Sequence, residues 1–291
     1  MTDTTSKLDS AAVSMLLTRL IVNLLGIISS LILVRILSPE DFGVAAIAMS
    51  IYAFVSLFGE FGFNTALIQK TTPLKSDYDA AFTVNLIFGI TASVTVILLA
   101  PQLAIFFNEP RLELVFVALG LLFMLNGLKN IKTVDFQIKM DFKQEMKLQV
   151  FPKLLSFFFT LSLAWYLQSY WALIFGSIFA SLLNIIFSYT MLAYKPSLTL
   201  KGSKALFSYS KWLMLNNVFH YLNYRSVELI VGKYISTSAA GVYNISKEMA
   251  TLPSSEIAAP INKASFPAYS KEKHDYQALR ELFYKTTSMI T

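Results

Sequence analysis

The 291-residue sequence contains no cysteine, which excludes disulfides and thiolate metal sites. Its two histidines, His220 and His274, give little basis for a histidine metal centre or nucleophile. Charge is scarce as well: Asp, Glu, Lys and Arg make up 14% of the residues, against roughly 25% in soluble domains. A soluble core could not cover 55% hydrophobic residues with so few charges. With a mean hydropathy of +0.56, the composition is that of a chain that lives in lipid. The first ten residues, MTDTTSKLDS, lack a basic leader region and a small-residue cleavage site. No removable signal peptide is read there, and the first apolar segment is expected to remain in the mature protein.

What the sequence does have is long apolar runs. A helix crossing a bilayer needs about 20 mainly apolar residues, and cutting at charged or turn-rich clusters predicts eight of them: 11–34, 40–69, 80–107, 111–128, 150–167, 170–194, 206–232 and 239–260. The fold class is all-α, a polytopic transmembrane helix bundle. One stretch recurs. Val34 to Ile51 lines up with Val231 to Met249 at an offset of 197 or 198, pairing Ser38 with Ser236 and Gly43 with Gly241. That spacing is too long for a solenoid and suits a membrane transporter made of two like halves. The expected organisation is a first lobe over 1–200 and the start of a second over 201–291.

The lysines and arginines alternate between loops. Seventeen fall in one set, including Lys70, Lys75, Lys129, Lys143, Lys195 and Lys271, and only Arg35, Arg111 and Lys233 fall in the other. Under the positive-inside rule the N-terminus is cytoplasmic. The same distribution accounts for the net charge of +6 through anionic lipid headgroups, without nucleic acid as a partner. Within the longest loop, Ile131, Val134, Ile138, Phe142 and Met146 repeat at helical spacing, which predicts an amphipathic helix on the inner membrane face over Lys129 to Gln149.

Charged groups also lie inside the apolar segments: Arg19, Glu60, Arg225, Glu228, Lys247 and Glu248. Each near a helix centre costs roughly 2.5 to 3.5 kcal/mol if it faces lipid. Six together would cost on the order of 15 kcal/mol, as much as a whole fold is worth, so they must face protein or water. Arg19 shares a stripe with Asn23, Gly26 and Ser30, a small and polar helix face such as a cavity wall would present. Arg225 reaches Glu228 one turn on, which reads equally as a neutralised pair between helices or as cavity lining. Glu60, between Gly59 and Gly62, reads either as a cavity group or as part of a close helix contact. The candidate substrate-binding residues are therefore Arg19, Asn23, Glu60, Arg225, Glu228 and Lys247. Pro101, Pro253 and Pro260 lie in or beside spans and are compatible with kinked, moving helices.

Four segments resemble the Wzx-type polysaccharide flippases of the multidrug/oligosaccharidyl-lipid/polysaccharide exporter superfamily. They are LSPEDFG (Leu37 to Gly43), FGEFGFNTALIQ (Phe58 to Gln69), FQIKMDFK (Phe136 to Lys143) and the long run from Gly241 to Ser270. The resemblance implies an inner-membrane carrier, not an enzyme, that moves an undecaprenyl-pyrophosphate-linked oligosaccharide by alternating access between two lobes of about six helices. It also implies a cationic side chain in the first helix, which Arg19 matches. No cofactor is expected; a coupling ion, proton or sodium, is left open. The implied partners are the lipid-linked oligosaccharide, membrane lipid and other polysaccharide-assembly proteins. A second repeat as long as the first would run to about residue 400, so the second lobe is expected to be incomplete at Thr291. The alternatives are a cation-coupled multidrug exporter of the same superfamily, whose cavity should be acid-rich, and a membrane glycosyltransferase or polymerase. The latter usually carries its catalytic groups in a large extramembrane loop, and the longest internal loop here is the lysine-rich Lys129 to Gln149.

Overall fold

The computed structural model describes residues 2–59, 63–70, 73–201, 219, 265–270 and 275–290, and the regular structure among them is helical. The order is α1 (Thr2–Ile36), α2 (Pro39–Leu57), α3 (Phe63–Gln69), α4 (Lys75–Phe106), α5 (Leu112–Gly127), a 3-10 turn (Ile131–Thr133), α6 (Val134–Ile138), α7 (Phe142–Leu167), α8 (Trp171–Met191) and α9 (Tyr276–Ile290). Residues 265–270 add a further helical stretch.

Four of these helices, α1 from Val13, α4, α7 and α8, are long and apolar enough to cross a membrane. A fifth crossing is made if α5 and the segment Ile131–Ile138, bent by 60° from it, count as one, and α2 is a shorter apolar helix. Large apolar side chains cover the outer surface, among them Leu98, Ile105 and Leu114. In water such coverage would be a liability; in a bilayer it faces acyl chains. Near the end of α7, Trp165 and Tyr166 are almost fully exposed, where an interfacial aromatic belt would lie. The chain is a multi-pass membrane protein.

The core joins α2, α4, α5 and α8 through Ala48, Ala100, Val115, Phe116 and Ile174, all fully enclosed. The α4 and α5 backbones approach each other closely where Gly89 meets Gly127. A Cβ on Gly89 would sit 2.8 Å from the Phe123 carbonyl oxygen, and one on Gly127 would sit 2.9 Å from that of Asn85. Only glycine lets the two backbones approach this far.

Local sequence explains the helix ends. Before α2, the Ser38 Oγ accepts from the Asp41 N–H and the Asp41 carboxylate accepts from the Ser38 N–H, each at 3.2 Å, with Pro39 in the first turn. Asp77 does the same service for α4, accepting from the Leu74 N–H at 3.0 Å. That is why α4 begins at Lys75 and not at 80, and runs about 48 Å. Pro101 lies inside α4, which continues to Phe106.

Two expectations need correction. The span over 40–69 is broken: α2 ends at Leu57 and α3 starts at Phe63. The chain turns at Phe58 and Gly59, where a Cβ would run into the Phe88 ring. The amphipathic surface helix over Lys129 to Gln149 is also absent as a single element. Met140 takes a left-handed conformation (φ 57°), Asp141 caps the next helix, and α7 begins at Phe142, so the second half of that loop belongs to a membrane-crossing helix. Three residues of its apolar stripe are buried in protein, Ile131 and Val134 against α3 and α4, and Phe142 against Met15. The predicted spans 206–232 and 239–260 lie outside the described residues.

The internal repeat extends beyond the stretch first recognised. Lys75-Ser-Asp77-Tyr78 recurs at an offset of 198 as Lys273-His-Asp275-Tyr276. Each leads into a helix, and Asp275 accepts from the N–H groups of Gln277 and Ala278 at 3.0 and 3.1 Å. The 265–270 helix touches α3: the Ser270 hydroxyl donates to the Ile68 carbonyl at 3.1 Å and Phe266 packs on the same cluster.

Candidate functional site

The first helix, α1, presents three faces. One packs along α7, with Ser14, Met15, Thr18 and Leu33 buried and the Thr18 hydroxyl donating to the Ser14 carbonyl at 2.6 Å. A second is an exposed apolar stripe, Leu17, Leu20, Leu24, Ile27, Leu31 and Val34. The third carries Arg19, Asn23, Gly26 and Ser30, with Arg19 exposed and Asn23 half-buried. At 3.6 residues per turn this polar stripe lies about a third of a turn from the apolar one. A Cβ on Gly26 would meet none of the described residues within 4 Å. On α1, Arg19 thus lies on a different face from the exposed apolar stripe.

The two ends of the bundle differ. At one, the Tyr170 N–H donates to Asp41 at 3.0 Å and the Arg111 guanidinium lies 6.0 Å above the Tyr170 ring. Arg111 also bonds both carboxylate oxygens of Glu109 at 2.8 Å, and those bonds hold the Glu109 carboxyl below its usual pKa.

The opposite end gathers lysines with buried carboxylates. Asp77, Asp79 and Asp135 are all buried. Lys70 pairs with Asp77 and Lys75 with Asp79, each at 2.6 Å, and the Tyr78 hydroxyl donates to Asp135. Asp79 also accepts from the Tyr194 hydroxyl at 2.8 Å and from the Ser197 N–H at 3.2 Å, while the Thr83 hydroxyl oxygen accepts from the Thr199 N–H at 3.0 Å. Burial, and then the bond to Asp79, push the Tyr194 phenol well above its ordinary pKa. Asn130 donates to the carbonyls of Ser188 and Leu192. These groups satisfy one another and strap residues 194–199 onto α4. Among the described residues no group of three His, Cys, Asp or Glu side chains is placed to hold a metal ion.

The family described as polysaccharide biosynthesis protein matches residues 32–291. The chain belongs to that family. It is 26% identical over 280 residues to an uncharacterized membrane protein in the cps region of Klebsiella pneumoniae, covering 94% of this chain and 58% of that protein. It is 24% identical over 274 residues to the lipopolysaccharide biosynthesis protein WzxC of Escherichia coli (91% and 55%). To the succinoglycan biosynthesis transport protein ExoT of Rhizobium meliloti it is 22% identical over 262 residues (89% and 53%). The chain spans little more than half the length of these relatives. No solved structure matches. The resemblance to Wzx-type flippases read from the sequence motifs agrees with the family and with these relatives.

Within this polysaccharide biosynthesis family member, the structure places Arg19 and Asn23 together on one face of α1. Glu60, Arg225, Glu228 and Lys247 lie outside the described residues. Sequence reasoning passed over Asp77, Asp79 and Asp135. Their signal was present in the alternating acids of Asp77-Tyr78-Asp79 beside Lys70 and Lys75, a pattern that pairs charges across a turn.

Proposed function

We propose that this chain forms part of a flippase that moves an undecaprenyl-pyrophosphate-linked oligosaccharide across the bacterial inner membrane by alternating access, with Arg19 binding the diphosphate. The observation that carries the reading is the position of Arg19 and Asn23 on the polar stripe of α1, apart from its exposed apolar stripe. A guanidinium offers a planar fork to phosphate oxygens, and the neighbouring Asn23 and Ser30 suit sugar hydroxyls. The relatives' names, which concern lipopolysaccharide biosynthesis and succinoglycan transport, support a polysaccharide cargo. The lysine-rich end is the cytoplasmic one in this reading, with the N-terminus inside. Glu60, Arg225, Glu228 and Lys247 complete the cargo site from the remaining segments in this reading.

The test is export of surface polysaccharide by a strain whose transporter carries the substitution, with membrane abundance measured alongside. Arg19→Ala abolishes export at normal abundance, and Arg19→Lys restores only part, because it keeps the charge and loses the fork. Normal export by Arg19→Ala at equal abundance refutes the assignment, and loss of the protein from the membrane makes Arg19 a packing residue.

A further inference from the structure

A cleft of about 610 Å³ opens between α1 and the first turns of α7. Its floor is apolar, from Val13, Leu17 and Met146, and its rim carries Lys143 and Lys147. Both lysines are exposed, and among the described residues neither ammonium has a carboxylate partner. Asp141, also at the rim, is engaged as the cap of α7, accepting from the Gln144 N–H. Lys143 and Lys147 stand four residues apart on one helix face, where like charges repel. An anion between them converts that repulsion into two attractions. The apolar floor continues along α1 into the exposed stripe of Leu20, Leu24 and Leu31. On α1 the cleft residues Val13 and Leu17 belong to this stripe, on the other flank of the α7 seam from Arg19, Asn23 and Gly26.

We infer that this cleft is a binding site for an anionic membrane phospholipid, distinct from the cargo site, with the headgroup phosphate between Lys143 and Lys147 and an acyl chain along Val13, Leu17, Leu20 and Leu24. The chemistry of the two parts requires an amphiphile. A free anion has no use for the apolar floor, and a neutral lipid leaves the two ammoniums facing each other. The site does not depend on the role given to Arg19.

Native mass spectrometry of the full chain, purified in detergent and titrated with dioleoyl phosphatidylglycerol or dioleoyl phosphatidylcholine, tests this. The expected result is tighter retention of phosphatidylglycerol. Lys143→Gln/Lys147→Gln weakens that retention roughly tenfold or more, since each lysine at a headgroup contributes about one such factor at most. Leu17→Trp, which fills the floor and leaves the charges in place, weakens both lipids. The control pair Lys195→Gln/Lys201→Gln, at the same end but outside the cleft, leaves the preference intact. Three outcomes overturn the proposal: no loss in the Lys143/Lys147 variant, an equal loss in the control pair, or displacement of phosphatidylglycerol by glycerol-1-phosphate at the same concentration, which would reduce the site to a bare anion site.

Discussion

Replacing Asp79 with Ala removes the acceptor that holds residues 194–199 against α4. Asp79 is only 4% exposed and receives three donors: Lys75 at 2.6 Å, the Tyr194 hydroxyl at 2.8 Å and the Ser197 N–H at 3.2 Å. The Lys75 side chain is 62% exposed and regains water, so its loss counts for little. Tyr194 and Ser197 are different. Each gives up a bond to the buried Asp79 carboxylate, and although Tyr194 is half-buried and Ser197 exposed, the two losses together cost about 2 to 3 kcal/mol after partial rehydration. Residues 192–200 form no helix or strand, so their amide protection rests on these side-chain acceptors and not on a backbone ladder. Hydrogen exchange of the Ser197 amide should therefore accelerate roughly thirty- to hundredfold in Asp79→Ala. The Thr199 amide, bonded to Thr83, should follow to a smaller extent. Asp79→Asn, which keeps one acceptor oxygen, should lie between, and Lys75→Gln should stay near the parent. Unchanged exchange at Ser197 in Asp79→Ala would refute the reasoning, because the strap would then be held by something other than the carboxylate.

Gly127→Ala places a methyl 2.9 Å from the Asn85 carbonyl and 3.2 Å from the Leu86 Cα; since backbone cannot yield as a side chain does, thermal unfolding in detergent should show a loss of about 1 to 3 kcal/mol. Gly26→Ala, with nothing among the described residues within 4 Å, should melt like the parent. Reporter fusions after Lys143 and Lys195 should report cytoplasm and one after Arg111 periplasm; a periplasmic signal at Lys143 would overturn the orientation. A thiol introduced at Ser30, in a chain with no cysteine of its own, should react with a water-soluble maleimide faster than one introduced at Leu31 on the apolar stripe, and equal rates would remove the distinction between the two faces.

The helical nature of the chain and the polar stripe of α1 were legible because hydropathy and a period of 3.6 residues record burial directly. Where periodicity misled, the backbone had changed direction without breaking the pattern. The stripe from Ile131 to Met146 keeps its spacing across the left-handed Met140, so one helix was read where the chain turns between two. The span over 40–69 failed for a related reason: apolar residues continue through Phe58-Gly59, so hydropathy carries on where the helix ends, and the close approach of the Phe88 ring that leaves room only for glycine at 59 is a tertiary fact that no local window contains. The start of α4 was missed because Lys75, Asp77 and Asp79 look like loop residues. Lys75 and Asp79 pair one turn apart once the helix has formed, but Asp77 meets Lys70 and Asp79 gains the Tyr194 and Ser197 donors only through the fold.

The strap itself fixes where the rest of the chain begins. Nine residues separate the end of α8 from Lys201, and as a free extended tether they could carry whatever follows through a radius of about 30 Å. Anchored at Tyr194, Ser197 and Thr199, they leave almost none of that reach. A pull applied at Lys201 would therefore reach the lysine-rich foot of α4 directly, instead of being absorbed as slack behind α8.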